Sequence, residues 1–95
     1  MAAYVISDVI VRSPDAFAAY RALAAKSIEK FGGRYLVRGG AIDVLEGNWS
    51  PTNIVLVEFC DAGTARRWYE SPEYAEAIKF RDEALKRNLL LIEGV

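Results

Sequence analysis

The strand-like runs of this chain are apolar at odd and even positions alike, and that limits what it can fold into. Residues 3 to 12, AYVISDVIVR, are rich in β-branched side chains, and NIVLVEFC (53 to 60) and LLLIE (89 to 93) are apolar almost throughout. RYLVR, residues 34 to 38, adds a fourth run, ended by Gly39-Gly40, after which AIDVLEG resumes extended structure before a turn at Asn48 to Asn53. Successive strand residues point to opposite faces, so a sheet made of these runs has two largely apolar faces, and both must be covered.

Helices between the strands supply one cover. Ser13 caps a helix, Pro14 suits its first position, Asp15 complements its positive end, and Phe17, Tyr20, Leu23, Ala24, Ile28 and Phe31 recur at helical spacing. Gly32-Gly33 closes that helix. Asp61 caps a second helical region from about Ala62 to Glu70. In WYESPEY, residues 68 to 74, Ser71-Pro72 interrupts it, and Tyr74 to Lys86 continues it. Ser71-Pro72-Glu73 repeats the grammar of Ser13-Pro14-Asp15, so the Ser-Pro pair restarts a helix, and the flanking rings fill the bend. The order strand, helix, strand, strand, helix, strand over residues 1–95 predicts one α+β domain. It is a ferredoxin-like βαββαβ unit, with a four-stranded antiparallel sheet and two helices on one face.

Sorting the strands by parity assigns Val5, Ser7, Val9, Val11, Tyr35, Val37, Gly39, Val55, Val57, Phe59, Leu90 and Ile92 to the helix-covered face. The other face takes Tyr4, Ile6, Asp8, Ile10, Arg12, Arg34, Leu36, Arg38, Ile54, Leu56, Glu58, Leu89, Leu91 and Glu93. No helix remains to cover it, and monomers rarely expose so large an apolar face, so it predicts a second copy and hence a homodimer. Asp8, Arg38 and Glu58 then lie in or near the interface. They form either an ion cluster that fixes dimer register or a pocket in which Arg38 orients an anionic or carbonyl-bearing small molecule beside Tyr4, Ile6 and Leu56.

The chain has no histidine, so triad-type nucleophile activation, histidine-ligated zinc and ordinary proximal-histidine haem binding are excluded; no metal or cofactor is expected. A net charge of −1 gives no reason to expect nucleic acid. No apolar run reaches membrane-spanning length and the N-terminus lacks a signal pattern, so a cytoplasmic location is expected. Cys60 is read as a small buried core residue, and Ser71 is no nucleophile, having no base to activate it. The two Gly-Gly pairs are turn and bulge chemistry, since neither lies between a strand and a helix N-terminus. Trp49 sits in a polar turn, where it packs under its loop, covers the barrel mouth or touches the other subunit; ligand stacking is the alternative.

GGRYLVRGG (32 to 40), LEGNW (45 to 49), VEF (57 to 59) and WYESPEY (68 to 74), followed by Arg81, resemble in order and spacing the family described as DUF1330, over nearly the whole chain. The resemblance implies a dimeric α+β barrel of the ferredoxin-like superfamily. That fold is shared with antibiotic-biosynthesis-type monooxygenases, muconolactone-isomerase-like proteins and stress-responsive barrel proteins; the resemblance implies no particular activity. Asn53 departs from the pattern where members often carry a basic residue, and Cys60 departs where proline is frequent. Two functions stay open: a barrel protein that binds a small apolar molecule with an anionic or carbonyl group, with Arg38, Asp8, Glu58, Tyr4 and Trp49 as candidate contacts; or a cofactor-independent isomerase or monooxygenase using Arg38 with Asp8 or Glu58 as base.

Overall fold

In the computed structural model, which describes residues 1–95, four strands form one antiparallel sheet in the order β2-β3-β1-β4. These are β1 (Ala3–Val11), β2 (Arg34–Arg38), β3 (Ile54–Phe59) and β4 (Leu85–Glu93). Helices α1 (Pro14–Lys30), α2 (Ala62–Tyr69), α3 (Pro72–Ile78) and the single turn α4 (Arg81–Ala84) lie on one face, as the ferredoxin-like expectation requires. No helix is long and apolar enough to cross a membrane.

The helix boundaries follow their capping residues. The Ser13 hydroxyl accepts from Ala16 N, with Pro14 in the first turn, and α1 ends where Gly32 turns left-handed at φ 73°. Asp61 accepts from Thr64 N at 2.7 Å and starts α2. Ser71 both ends one helix and begins the next: its hydroxyl donates to Trp68 O at 2.7 Å and accepts from Tyr74 N at 3.1 Å. The SPE restart in WYESPEY is therefore a cap, and it drives Trp68 and Tyr74 into the core, where both are almost wholly buried. The Trp68 indole N–H donates to Ser27 Oγ at 2.9 Å, and that hydroxyl donates to Ala24 O, so the polar atoms beneath the helices are satisfied in series.

Five expectations change. The continuation of the last helix to Lys86 is cut short: the chain enters β4 at Leu85, because Val11, Ile10 and Val9 of β1 pair with Leu85, Lys86 and Arg87. Facing positions in an antiparallel pair share a face, so this register turns Arg87, Leu89 and Leu91 inward with Val9, Ser7 and Val5. Leu90 and Ile92, expected inside, are 58% and 44% exposed.

In β2 a bulge between Tyr35 and Val37 inverts the parity: Tyr35 pairs with Val57, but Arg38 pairs with Val55 and so faces the helices, not the open side. AIDVLEG makes no ladder and remains an exposed loop. Cys60 is exposed rather than core, because the chain has left β3 by that point; its thiol lies 3.4 Å from Thr64 Oγ1.

The uncovered face is built in rows across the strands: Ile54–Asp8–Asn88, Leu56–Ile6–Leu90 and Arg34–Glu58–Tyr4–Ile92. It is the open, mostly apolar face that the strand pattern predicts. The loop from 39 to 53 adds the exposed side chains Ile42, Val44, Leu45 and Trp49.

Candidate functional site

The five residues expected to form one site divide between the two faces of the sheet. On the open face Arg34, not Arg38, neutralises Glu58, with Nε 2.9 Å from Oε1. Tyr4 stands opposite Glu58, and hydrogen bonding to that carboxylate, followed by partial desolvation, raises the pKa of its phenol. Trp49, 64% exposed, swings its loop back over β1 and donates its indole N–H to Asp8 Oδ2 at 3.2 Å. Tyr4, Glu58, Asp8 and Trp49 thus make two small polar pairings on an apolar sheet, and the third charge of the expected cluster is on the far side of it.

Arg38 lines a cavity of about 60 Å³ between the sheet and α1. Its walls are Val5, Val9, Val55 and Val57 from the sheet, Ala24 and Ile28 from the helix, and the rings of Phe17, Tyr20, Tyr35 and Trp68. Three arginines reach it, Arg21 from α1, Arg38 from β2 and Arg87 from β4, and no Asp or Glu lines it. None of the three arginines is in an ion pair. Each guanidinium lies near aromatic rings instead: Arg38 is 4.3 Å from the centroid of Tyr35, Arg21 5.6 Å from Phe17, and Arg87 5.5 Å from Tyr20.

At the β4 end, Tyr20, Tyr74 and Arg87 form a closed hydrogen-bonded triangle. The two phenol oxygens are 2.6 Å apart, Arg87 Nη1 donates to Tyr20 Oη at 2.5 Å, and Nη2 donates to Tyr74 Oη at 2.6 Å. Burial, with the neighbouring Tyr20, pushes the Tyr74 phenol well above its ordinary pKa. Tyr35, at the β2 end, is also raised by burial, although Arg38 and Arg21 pull the other way. Both phenols are therefore neutral near pH 7.

The donor inventory then decides the chemistry. Two guanidinium N–H groups go to phenol oxygens and the phenols share one hydrogen between them, which leaves one phenol hydrogen and three guanidinium hydrogens without a protein acceptor. The site donates hydrogen bonds and positive charge, and contains no group able to take up a proton at neutral pH. Asp8 and Glu58, the expected bases, are screened from it by the sheet. No three His, Cys, Asp or Glu side chains converge in a metal-holding arrangement.

The Tyr20–Tyr74–Arg87 triangle is the part that sequence reading did not reach. Its members lie on α1, α3 and β4, separated by 54 and 13 positions. The available signal was an arginine two positions from a leucine on either side, Leu85 and Leu89, but it speaks only when the strand starts at Leu85.

Comparison with known proteins agrees with the fold. A protein of unknown function from Rhodopseudomonas palustris is 21% identical, with a TM-score of 0.78 over 99% of this chain and 82% of that one. SnoaB, a cofactor-independent oxygenase from Streptomyces nogalater, is 12% identical with a TM-score of 0.67, covering 99% of this chain and 93% of its own. A dimeric protein of unknown function with a ferredoxin-like fold from Bacteroides fragilis is 13% identical with a TM-score of 0.57, over 98% and 96% of the two chains. No curated protein sequence matches. The family model for a domain of unknown function, DUF1330, matches residues 2–95, and the chain belongs to that family.

Proposed function

We propose that the protein is a cytoplasmic homodimer that binds a small apolar molecule carrying an anionic or carbonyl group, with that group held by the arginines that line the small cavity between the sheet and the helices of each protomer. The observation that carries this reading is the set of three arginines, free of carboxylate partners, facing one apolar cavity. Arg87 is half-buried with no counter-charge, which costs solvation free energy that an anionic or strongly accepting group would recover, while Arg21 and Arg38 are exposed and free to reach the same group. Arg38 keeps the ligand-orienting role expected of it, but toward the helix side. Asp8, Glu58, Tyr4 and Trp49 take the register-fixing role, as polar pairings within the apolar face through which the two copies meet.

Amide chemical shifts mapped during titration with hexanoate test the location. Perturbations are expected at Ser7, Tyr20, Arg38, Arg87 and their neighbours. Shifts confined to Tyr4, Ile6 and Leu56 would move the ligand to the barrel side and overturn this reading.

A second reading, a cofactor-independent isomerase or monooxygenase, is favoured by the surplus donors at Tyr20, Tyr74 and Arg87, which suit an oxygen gaining negative charge. The base would have to be supplied by the substrate itself, because no lining side chain accepts a proton. Proton exchange with deuterated solvent at an activated carbon, catalysed by the wild type and lost in Arg87→Met, is the expected signature; exchange at the buffer rate refutes it.

A further inference from the structure

Arg87 and Leu85 line two openings: the inner cavity, and an open cleft of about 280 Å³ at the corner where β1 ends, α4 turns and β4 begins. The cleft is lined by Arg12, Arg81, Asp82, Leu85, Lys86 and Arg87, so four cations meet one carboxylate in a chain whose net charge is −1.

The backbone fixes this gathering. The N–H groups of Arg12 and Ser13 both donate to Ala84 O, at 2.8 and 3.2 Å, which closes the end of β1 on the end of α4. β4 starts at once, with Leu85 opposite Val11 and Lys86 opposite Ile10. Nor does the lone carboxylate cancel the cations. Arg12 Nη1 donates to the main-chain oxygen of Asp82 at 3.2 Å, not to its side chain. Arg81 Nε lies 3.3 Å from Asp82 Oδ1, but that carboxylate is 93% exposed, so the pair contributes little. Arg87 is held by two neutral phenols and keeps three N–H hydrogens without a protein acceptor. Lys86 is in no ion pair.

From this arrangement we infer that the corner is a phosphate site, taking the phosphoryl group of a small soluble phosphomonoester, whatever the inner cavity binds. A phosphomonoester carries about two negative charges near neutral pH and three strong acceptor oxygens. Arg12 and Arg87, held in place by a main-chain oxygen and by phenol oxygens, are oriented in advance for paired N–H contacts to it. A carboxylate brings one charge and two oxygens, and so leaves more of the cluster uncompensated. The cleft has room for a phosphoryl group and a small organic body. Asp82 and Glu83 set two exposed carboxylates along α4, which disfavours a longer polyanion such as nucleic acid.

Calorimetric titration at neutral pH and fixed ionic strength with phenyl phosphate, against benzoate, tests the inference. Phenyl phosphate is expected to bind at least about tenfold more tightly than benzoate, the discrimination that one further charge-assisted contact gives. Arg12→Gln/Lys86→Gln changes two exposed positions that line only the outer cleft, so the circular dichroism should be kept while phenyl phosphate binding weakens about tenfold. Asp82→Asn removes the carboxylate but not the oxygen that holds Arg12, and should tighten binding about threefold.

Equal binding of phenyl phosphate and benzoate, or a phenyl phosphate affinity unchanged in Arg12→Gln/Lys86→Gln, overturns the site. Binding to phosphatidate vesicles with none to phenyl phosphate overturns the soluble ligand and assigns the corner to a lipid surface.

Discussion

Replacing Tyr74 by phenylalanine removes one oxygen atom from the centre of the molecule, and the structure sets what that should cost. Tyr74 is fully buried, and its hydroxyl lies 2.6 Å from Tyr20 Oη and accepts from Arg87 Nη2 at 2.6 Å. A neutral buried hydrogen bond contributes about 1 kcal/mol net and one to a charged group about 1.5–3, so the two together are worth about 3 kcal/mol. That figure is already net of desolvating the hydroxyl. For a domain of this size it lowers Tm by about 15 °C. The assay is thermal unfolding followed by tryptophan fluorescence at one protomer concentration, since Trp68 packs 4.2 Å from the Tyr74 ring.

The same variant has a pH signature. Burial raises the Tyr74 pKa above the unfolded value of 10.0, so its contribution is complete below pH 10 and declines as pH climbs beyond that. Wild-type stability should fall above pH 10 more steeply than that of Tyr74→Phe. A Tm shift under about 3 °C with identical alkaline limbs would refute the energetic account of the triangle.

Other perturbations test the remaining elements. A Cβ at Gly33 would stand 2.7 Å from Phe59 Cε1 and 2.8 Å from Ile28 Cγ2, so Gly33→Ala should cost about 1–3 kcal/mol in urea unfolding. Gly40→Ala meets nothing within 4 Å and should be neutral within about 0.5 kcal/mol. The Asp61 carboxyl is held below its ordinary 3.8 chiefly by the Thr64 backbone N–H. Its stabilisation is thus present above pH 3.8 and fades as pH falls through the lowered value, and Asp61→Asn, which still caps, should flatten that acid limb in a pH series of melts. Leu90→Lys places a charge in the middle of the open face at a position 58% exposed in the protomer; sedimentation equilibrium should show dimer becoming monomer with the helical circular dichroism kept. A dimer that persists in Leu90→Lys would mean that the copies do not meet through this face.

Strand and helix order was legible because each element carries a local signal: capping serines and an aspartate, β-branched runs, and glycines where the backbone turns left-handed. What escaped is side-chain parity. LLLIE is apolar at every position, so alternation inside it holds no information about which leucines turn inward; only pairing with Val5, Ser7 and Val9 decides. Leu85 and Lys86 read as helix because EALK favours a helix locally, and the ladder with β1 overrode that preference. In β2 the bulge after Tyr35 has no glycine to announce it, and one extra residue moved Arg38 through the sheet to its other side.

That single inversion explains why the expected site and the observed one share only Arg38. With strict alternation, Arg38, Asp8 and Glu58 converge on the open face, where two carboxylates would neutralise the arginine and leave little to bind an anion. With the bulge, Glu58 is left to Arg34 and Asp8 to Trp49, while Arg38 joins Arg21 and Arg87 against apolar walls where no carboxylate reaches them. Of these three only Arg87 is half-buried, and its partners are neutral phenols rather than a carboxylate, while Arg21 and Arg38 stay in reach of water. The two faces therefore differ: on the open side Arg34 neutralises Glu58 and the Trp49 indole hydrogen-bonds Asp8, whereas on the helix side the three arginines have no carboxylate partner and suit an anion from outside.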